Sequence, residues 1–375
     1  MKYIIGFCRI IVGALFVFSG LIKANDPMGT SYKLQEYFTV FHMSWLNGFT
    51  DYLSIIFCGL EVALGFALLI GAFSRITTLF LTGLIIFFTW LTGYSAITGK
   101  VTDCGCFGEF IHLKPLTSFY KDIALLVLTL ILLLGRDSIK PLFAGKWNNF
   151  VLFLLVAGSF FVPFWAYAHL PFIDMLAYKP GNNIKEQMKL PIGAKRDSIV
   201  TVLICENKKT HTIEELSSAD YAKKFENYNY KDRKDKVIVE GDKPAVHDFI
   251  INDENGNQIQ DSLLNVSTYS FWIVVYDVEN ADKKCWTKIN ELVKNCDAQH
   301  IPVVGITHSD YKAAESFRHD VQAAFPFYTA GDDKFVKTMV RCNPGIMLMK
   351  NGTVIKKWHY HDVPSYAEAM HNAIN

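Results

Sequence analysis

The chain has 375 residues, 37 of them basic and 36 acidic, and 51% of its residues are hydrophobic. This balance of charge, without a basic tail, argues against a nucleic-acid partner. Eight cysteines over this length are too few and too scattered for a small scaffold held by disulfides. Because apolar residues dominate the first 170 positions and most Lys, Asp, Glu and Asn follow them, we expect a membrane part and then a soluble part.

Apolar runs long enough to cross about 30 Å of hydrocarbon recur through the first part of the chain. They predict five transmembrane helices, near residues 4–22, 53–71, 76–98, 119–135 and 149–170. A small-residue cleavage site does not follow the first run, so we expect a retained helix there instead of a signal peptide. Five spans would place the two ends of the chain on opposite sides of the lipid bilayer.

The basic residues indicate the orientation of these helices. If the N-terminus is cytoplasmic, the short inner segments are rich in Lys and Arg. The longer outer segments, about 23–51 and 99–118, contain Lys and Arg at a lower density. The inner set consists of Lys2, Arg75, Arg136, Lys140 and Lys146. We therefore expect a multi-pass protein of the bacterial cytoplasmic (inner) membrane, with an extracytoplasmic C-terminal domain in a compartment where disulfides persist.

A turn-rich segment at 171–195 predicts a linker into the soluble domain. Beyond it we expect a strand at 198–205, a mildly helical segment at 212–228 and short strands near 236–240 and 247–252. Strands are then predicted at 270–276, 301–307, 325–329, 345–350 and 353–360, with helices at 281–298, 309–323, 331–341 and from 364. This alternation predicts a mixed sheet with helices on both faces.

From about residue 245 this order resembles a thioredoxin-like domain, and the resemblance implies a cis-proline at Pro344. The catalytic motif departs from that family, because Asp282 occupies the position of the first cysteine and only Cys285 remains. An aspartate cannot attack a disulfide, so ordinary exchange by two cysteines is not expected within this domain. The resemblance places Cys342 near Cys285, which leaves two alternatives: a second thiol pair, or two buried thiols in a binding domain.

The sequence Asp103-Cys104-Gly105-Cys106-Phe107-Gly108 fills a polar break between two apolar runs. A disulfide between Cys104 and Cys106 would close a very small ring, so it would be more easily reduced than a structural bridge. Gly105 permits the tight backbone that this ring needs. We predict a redox couple here. The alternatives are two inert thiols, or two metal ligands that form an incomplete zinc set with His112.

Three motifs in the membrane part, taken together, resemble the DoxX/MauE family over about residues 1–140. They are Ser19-Gly20-Leu21-Ile22-Lys23, the segment from Gly59 to Gly65 followed by Gly71 and Arg75, and the Cys-Gly-Cys motif. The resemblance implies a four-helix membrane bundle. It also implies a role like that of the MauE branch, which is associated with methylamine utilisation and disulfide formation in a periplasmic dehydrogenase subunit, or like the sulfur redox work of DoxX relatives.

These boundaries divide the chain into three parts. We expect a four-helix transmembrane domain over 1–140, a fifth transmembrane helix and linker over 141–195, and an extracytoplasmic domain over 196–375. The fifth helix and the altered thioredoxin-like domain go beyond the core family pattern, so the substrate of the family does not transfer.

Charged residues inside apolar spans usually have a partner or a function, because their burial in lipid is costly. Glu61 lies near the middle of the second span. It is expected either to pair with Arg9 or Lys23, which would hold the bundle together, or to accept a proton during thiol oxidation. Cys58, one helical turn earlier, could relay to the outer cysteine pair, although apolar cysteines in helices are more often packing residues.

Together these features predict a membrane thiol-disulfide redox protein that exchanges electrons between Cys104/Cys106 and a periplasmic thiol-containing protein. A quinone in the bundle is the natural membrane acceptor. No metal site is expected from His359 and His361, because two ligands make a poor site. The alternative is a non-enzymatic assembly or binding protein that uses a redox-inactive thioredoxin fold as a recognition surface.

Overall fold

The computed structural model describes residues 2–101, 105, 108, 113–191, 193–195, 198–239 and 241–374. Its N-terminal part consists of α1 (Lys2–Asn25), α2 (Pro27–Val40), α3 (Thr50–Ile70), α4 (Ser74–Thr98), α5 (Pro115–Leu134) and α6 (Lys146–Ala168). All of these helices except α2 are long and apolar enough to cross a membrane. The five predicted spans are therefore confirmed, with ends that differ by a few residues, and the protein is a multi-pass membrane protein.

Helix α2 is an addition to the predicted elements, because the sequence analysis expects an outer loop over 23–51. A local signal for it exists in the sequence. The Asp26 carboxylate accepts a hydrogen bond from the Gly29 amide (3.0 Å), and Pro27 occupies the first turn, as is common at helix starts. The helix is too short and too polar to be found by a search for membrane spans, which is why hydropathy alone missed it.

The bundle is held by close packing of α1 on α3, of α4 on α5 and of α3 on α6. Where α1 crosses α3, a methyl group on Gly65 would lie 3.0 Å from the Gly13 carbonyl oxygen, so glycine lets the two backbones approach. Below this crossing, Arg9 donates hydrogen bonds to the carbonyls of Leu68 (2.9 Å) and Leu69 (2.7 Å) at the end of α3. Arg9 therefore satisfies a helix end and does not pair with Glu61.

The rest of the chain alternates strands and short helices. Its elements are α7 (Ile184–Gln187), β1 (Ser198–Asn207), β2 (Ile213–Ser217), α8 (Ser218–Lys224), β3 (Tyr228–Val239), β4 (Ile251–Asn252), α9 (Gln260–Leu264), β5 (Tyr269–Val274), α10 (Trp286–Ala298), β6 (Val303–Thr307), α11 (Tyr311–Asp320), β7 (Phe327–Ala330), α12 (Asp333–Met339), β8 (Gly345–Lys350), β9 (Thr353–His359) and α13 (Tyr366–Ile374). The mildly helical segment predicted over 212–228 is wrong for Ile213–Ser217, which forms β2, and right for Ser218–Lys224, which forms α8.

This error has a tertiary cause. Strand β2 pairs antiparallel with β1, which also pairs with β3, and the three form a separate sheet in the order β2-β1-β3. Only then does Ser217 start α8, its hydroxyl accepting a hydrogen bond from the Asp220 amide (3.0 Å). Pairing between strands overrides a mild local helix preference here.

The main sheet has the strand order β4-β7-β6-β5-β8-β9. Strands β5, β6 and β7 run parallel, whereas β8 is antiparallel to β5 and β9 is antiparallel to β8. Hydrophobic clusters cover both faces: Phe271 and Ile273 point into one, and Trp272 and Val274 into the other. The C-terminal domain thus has the mixed, doubly covered sheet of a thioredoxin-like fold, as predicted.

The segment between α6 and α7 fastens this domain to the bundle. Asn25, at the end of α1, exchanges two hydrogen bonds with the Ile173 backbone (2.8 and 3.0 Å). One residue later, Asp174 forms an ion pair with Lys357 of β9 (2.5 Å). Further along, the Gly181 amide donates to the Val354 carbonyl (2.7 Å), and the Val354 amide donates to the Asn182 carbonyl (2.9 Å). The predicted linker is therefore packed against the domain that it leads to.

Candidate functional site

A cleft of about 990 Å³, counted with the space open to its surroundings, lies within the membrane bundle between α1, α2, α3, α4 and α5. It lies toward the end of the bundle that bears the C-terminal domain, here called the domain-side end. Most of the surface of its wall is apolar, and five charged side chains also line it: Lys23, Lys33, Glu61, Lys121 and Asp122. The aromatic and aliphatic lining includes Leu15, Phe16, Leu34, Phe57, Ile85, Phe87, Phe88, Leu91 and Leu125.

An ion pair between Lys23 and Glu61 forms one polar part of this wall. The two side chains are 8% and 5% exposed, so both charges are removed from water. The Lys23 ammonium also lies 4.9 Å from the centre of the Phe88 ring, a cation-π distance. Of the two sequence-based alternatives for Glu61, the structure thus displays the pairing with Lys23.

A second polar group lies across the cleft on α5. Lys121 and Asp122 form an ion pair (3.0 Å), and the Asp122 side chain is only 2% exposed. The Thr92 hydroxyl of α4 donates a hydrogen bond to Asp122 (3.0 Å). None of Asp122, Lys121 and Thr92 was among the site residues predicted from the sequence. Thr92 carries no local signal, because only the packing of α4 on α5 brings it to Asp122.

Gly105 is the described residue of the Cys-Gly-Cys motif, whereas the predicted couple, Cys104 and Cys106, and His112 lie outside the described residues. Gly105 has a φ of +66°, a conformation that favours glycine, and its carbonyl accepts a hydrogen bond from the Gly108 amide (3.1 Å). It lines the cleft, and a methyl group placed on it would lie 3.1 Å from Cγ of Lys33. The middle residue of the motif thus borders the same cleft as Glu61.

Cys58 also lines the cleft, one turn before Glu61 on α3. It is 1% exposed, and its thiol donates a long hydrogen bond to the Thr30 hydroxyl of α2 (3.8 Å). Cys8, by contrast, belongs to the packed core among α1, α3, α4 and α5 and does not line the cleft. Cys58 is therefore the thiol of the described membrane helices that lies at the cleft.

In the C-terminal domain, Cys285 precedes α10 and Cys342 precedes β8. Both are free thiols, 8% and 4% exposed. Burial, and then the charge of Asp282, raises the pKa of Cys285 to about 12, and burial raises the pKa of Cys342 even further. These are the features of protonated, unreactive thiols. Their pairing stays a prediction.

Three residues that the resemblance singles out, Asp282, Cys285 and Pro344, lie in or near the loop before β8. The Asn343–Pro344 peptide bond is cis, at the position where the resemblance placed a cis-proline. The Asp282 amide donates to the Asn343 carbonyl (3.1 Å), and the Cys285 thiol donates to the Asp282 carbonyl (3.3 Å). Asp282 therefore lies beside the cis-proline loop, and Cys285 follows it three residues later.

This edge of the domain faces the membrane bundle. Arg341 forms an ion pair with Asp26 at the start of α2 (2.9 Å), with side chains 2% and 14% exposed. The ring of Tyr276, just after β5, packs edge-on against Tyr32 of α2, with 6.2 Å between ring centres. The contact between α2 and the cis-proline edge of this domain was not predicted from the sequence.

A histidine-rich contact closes the same interface at the end of α6. His169 bonds Asp362 (2.7 Å), and His361 bonds the Ala168 carbonyl (2.6 Å). Neighbouring His359 is 2% exposed, and burial together with His361 lowers its pKa to about 3. Across the described part of the chain, three or more His, Cys, Asp or Glu side chains do not gather in a way that could hold a metal ion. His359 and His361 act in packing and in domain contact.

Comparison with known proteins finds matches to parts of this chain. Residues 1–135 match the family model of the methylamine utilisation protein MauE. Protein TlpB from Flavobacterium psychrophilum is 29% identical over 152 residues, which is 38% of this chain and 38% of that protein. The chain thus matches less than half the length of this curated relative.

Two solved structures are similar to the C-terminal domain. A cysteine-to-serine mutant of PrxQ from Xylella fastidiosa is 14% identical, with a TM-score of 0.26, and the match covers 34% of this chain and 87% of that one. A candidate protein disulfide isomerase from Bacteroides thetaiotaomicron is also 14% identical, with a TM-score of 0.25 and coverage of 34% and 82%. The match to the MauE family model thus covers the membrane region of the chain.

Proposed function

We propose that this protein is a membrane thiol-disulfide oxidoreductase in which Cys104 and Cys106 exchange electrons with a thiol-containing protein. The observation that supports this most directly is the position of Gly105, which borders the cleft that also contains Glu61 and Cys58. Gly105 lies between the two cysteines in sequence, and its position supports a couple that acts beside this cleft. The membrane orientation predicted from the basic residues would place this couple outside the cytoplasm.

The chemistry is a two-electron exchange. A thiolate of the partner attacks the Cys104–Cys106 disulfide, forms a mixed disulfide and releases one cysteine of the couple as a thiol. A second partner thiol then displaces the other cysteine, so the partner leaves as a disulfide and the couple is left as a dithiol. Two electrons and two protons have entered the protein. The couple must pass them on before it can react again.

The cleft suits a lipid-soluble quinone as the acceptor. Its aromatic side chains, among them Phe57, Phe87 and Phe88, offer packing surfaces for a flat ring, and Lys23 and Glu61 supply charge beside them. A quinone bound there would accept the two electrons and two protons of the dithiol. In this proposal the Glu61 carboxylate receives a proton on its way from the dithiol to the acceptor and then releases it, which restores the ion pair with Lys23.

The test uses full-length protein in membranes, quenched in acid and treated with a maleimide that shifts the protein on a gel. Wild type should show a partly oxidised couple that changes with added reductant, and Cys104→Ser or Cys106→Ser should trap a mixed disulfide. Cys296→Ser, a buried thiol of α10 remote from the cleft, serves as the matched control. A couple that remains fully reduced, or oxidised and unresponsive, would refute the proposal.

Quinone use is tested separately with purified protein, dithiothreitol as the donor and decylubiquinone as the acceptor. The rate of quinone reduction should fall to the uncatalysed level in Cys104→Ser, and the Cys296→Ser control should keep the wild-type rate. If thiol exchange persists but decylubiquinone is not reduced, the couple is a redox site with another acceptor.

A binding function is the second candidate, and one observation favours it. Asp282 replaces the nucleophile expected of a thioredoxin-like domain, and Cys285 and Cys342 are buried thiols. Under this alternative the C-terminal domain is a recognition module that lacks redox chemistry. Wild-type function in the Cys104→Ser/Cys106→Ser double variant would favour it.

A further inference from the structure

Helix α2 lies between the cleft and the C-terminal domain and touches both. Thr30, Lys33, Leu34 and Tyr37 line the cleft, at the spacing of one helical face. Gly29 and Tyr32 belong to a neighbouring face, and both lie against Arg341. One short helix thus forms a wall of the membrane cavity and the docking surface of the soluble domain.

The start of α2 continues directly from α1, with the Asp26 amide donating to the Lys23 carbonyl (3.2 Å), and it is also held from the domain side. Arg341 donates a hydrogen bond from Nε to Asp26 (3.0 Å), while its Nη1 donates to the Lys337 carbonyl (3.1 Å) and ties the guanidinium to α12. Toward the cleft, by contrast, the first turn forms the long Cys58–Thr30 bond (3.8 Å) with the described part of the bundle. A buried charged pair outweighs such a weak thiol bond.

The rest of α2 has attachments that do not depend on the domain. The Ser31 hydroxyl contacts Thr50 (2.9 Å), and Gln35 donates to the same residue (3.0 Å), which ties α2 to the start of α3. Tyr37 and Ser95 share a hydrogen bond (3.0 Å) that ties its last turn to α4. The helix would therefore remain with the bundle if the domain moved away, and its first turn would lose its strongest contact.

We propose that α2 is a lid on the membrane cleft and that the docked C-terminal domain holds this lid closed through Arg341 and Asp26. Undocking of the domain releases the first turn of α2 and opens the cleft to small solutes at Cys58. This device couples the position of the soluble domain to access into the membrane. It goes beyond the proposed redox activity and holds whether or not a quinone occupies the cleft.

Cys58 provides the readout, because its thiol lies directly beneath Thr30. Full-length protein in liposomes is treated with N-ethylmaleimide, and the labelling rates of Cys58 and Cys8 are followed by peptide mass spectrometry. Asp26→Asn removes the charge but keeps a residue that can cap α2, and Arg341→Gln removes the other charge. Each variant should speed labelling of Cys58 by about tenfold or more and leave Cys8 unchanged.

Two further variants make the result decisive. Arg341→Lys keeps a positive charge opposite Asp26 and leaves the Asp26 cap of α2 in place, so Cys58 labelling should stay closer to the wild-type rate than in Arg341→Gln. Arg75→Gln breaks an exposed ion pair with Asp137 at the opposite end of the bundle and should change nothing (3.0 Å; both side chains 72% exposed). If the labelling rate of Cys58 is unchanged in both single variants, the proposal that α2 is a lid is wrong. Equal acceleration at Cys8 would overturn it too, because the loosening would then be general.

Discussion

The ammonium of Lys23, near the end of α1, and the carboxylate of Glu61, midway along α3, form an ion pair inside the membrane bundle, 8% and 5% exposed. The pair joins the two helices that pack most closely around the cleft. Since each charge has lost its water, each depends on the other for stabilisation. Removing one charge is therefore expected to lower the free energy of unfolding more than removing both charges.

We expect Glu61→Gln to lower the free energy of unfolding by about 3–5 kcal/mol, because it leaves the Lys23 charge buried and unpaired. The measurement is unfolding in detergent micelles, by heat or by denaturant. Glu36→Gln is the matched control, since its pair with Lys33 is more exposed (2.9 Å; 25% and 28% exposed) and should cost about 0–1 kcal/mol. Equal losses in the two variants would contradict this expectation.

The double variant Lys23→Met/Glu61→Leu separates packing from proton transfer. Without either charge, the stability should recover most of the loss seen in Glu61→Gln, because no unpaired ion is left. If Glu61 also accepts a proton during thiol oxidation, this folded variant should still reduce decylubiquinone much more slowly than wild type. Full activity would assign Glu61 to packing alone.

Alkylation should show that Cys285 is a poor nucleophile. With a pKa raised to about 12, the thiol is protonated at neutral pH, and its labelling by iodoacetamide should rise about tenfold for each pH unit between 7 and 10. Cys296, whose pKa burial also raises to about 12, is the reference thiol. Rapid labelling of Cys285 that does not depend on pH would instead reveal a reactive thiolate. Diamide treatment in the same experiment tests whether Cys285 and Cys342 can pair.

His359 should make the protein less stable in acid. Its pKa is about 3 in the folded state, below the 6.5 expected of an ordinary histidine. Between these values the unfolded chain binds more protons than the folded one, so the free energy of unfolding falls as the pH falls from about 6.5. The slope for this one group is at most about 1.4 kcal/mol per pH unit.

The comparison variant is His359→Gln, whose side-chain oxygen can accept the hydrogen bond from the His361 amide that Nδ1 of His359 accepts now (3.1 Å). Its midpoint of thermal unfolding should fall less between pH 7 and pH 4 than that of wild type. His247→Gln, at an exposed position, should follow the wild-type curve. Identical slopes for all three proteins would assign the acid sensitivity to other groups.

The parts of the fold that hydropathy and strand alternation dictate were predictable from the sequence. The five membrane helices and the strand from Gly345 to Lys350 are examples, because each depends on its own residues. The stretch from Ile213 to Ser217 was not predictable in this way, because only its pairing with β1 makes it a strand. Long-range contacts determine the secondary structure of such segments.

The same distinction between local signals and long-range contacts applies to the residues of the candidate site. Glu61 and Cys58 could be selected because a charge or a thiol inside an apolar run is conspicuous by itself. Thr92 and Arg341 could not, since their importance depends on Asp122 and Asp26, residues that only the folded chain brings near them. The docking of the cis-proline edge on α2 belongs to this second kind of information.

One further consequence concerns the outer edge of the main sheet. The start of β9 hydrogen-bonds to Gly181 and Asn182, so part of the last strand is covered by the segment that leads out of the membrane. A fragment beginning at residue 196 would leave those backbone groups bare, and an unprotected strand edge can pair with the same edge of another molecule. A fragment of the soluble part should therefore begin near residue 170, because one that begins at residue 196 risks aggregation.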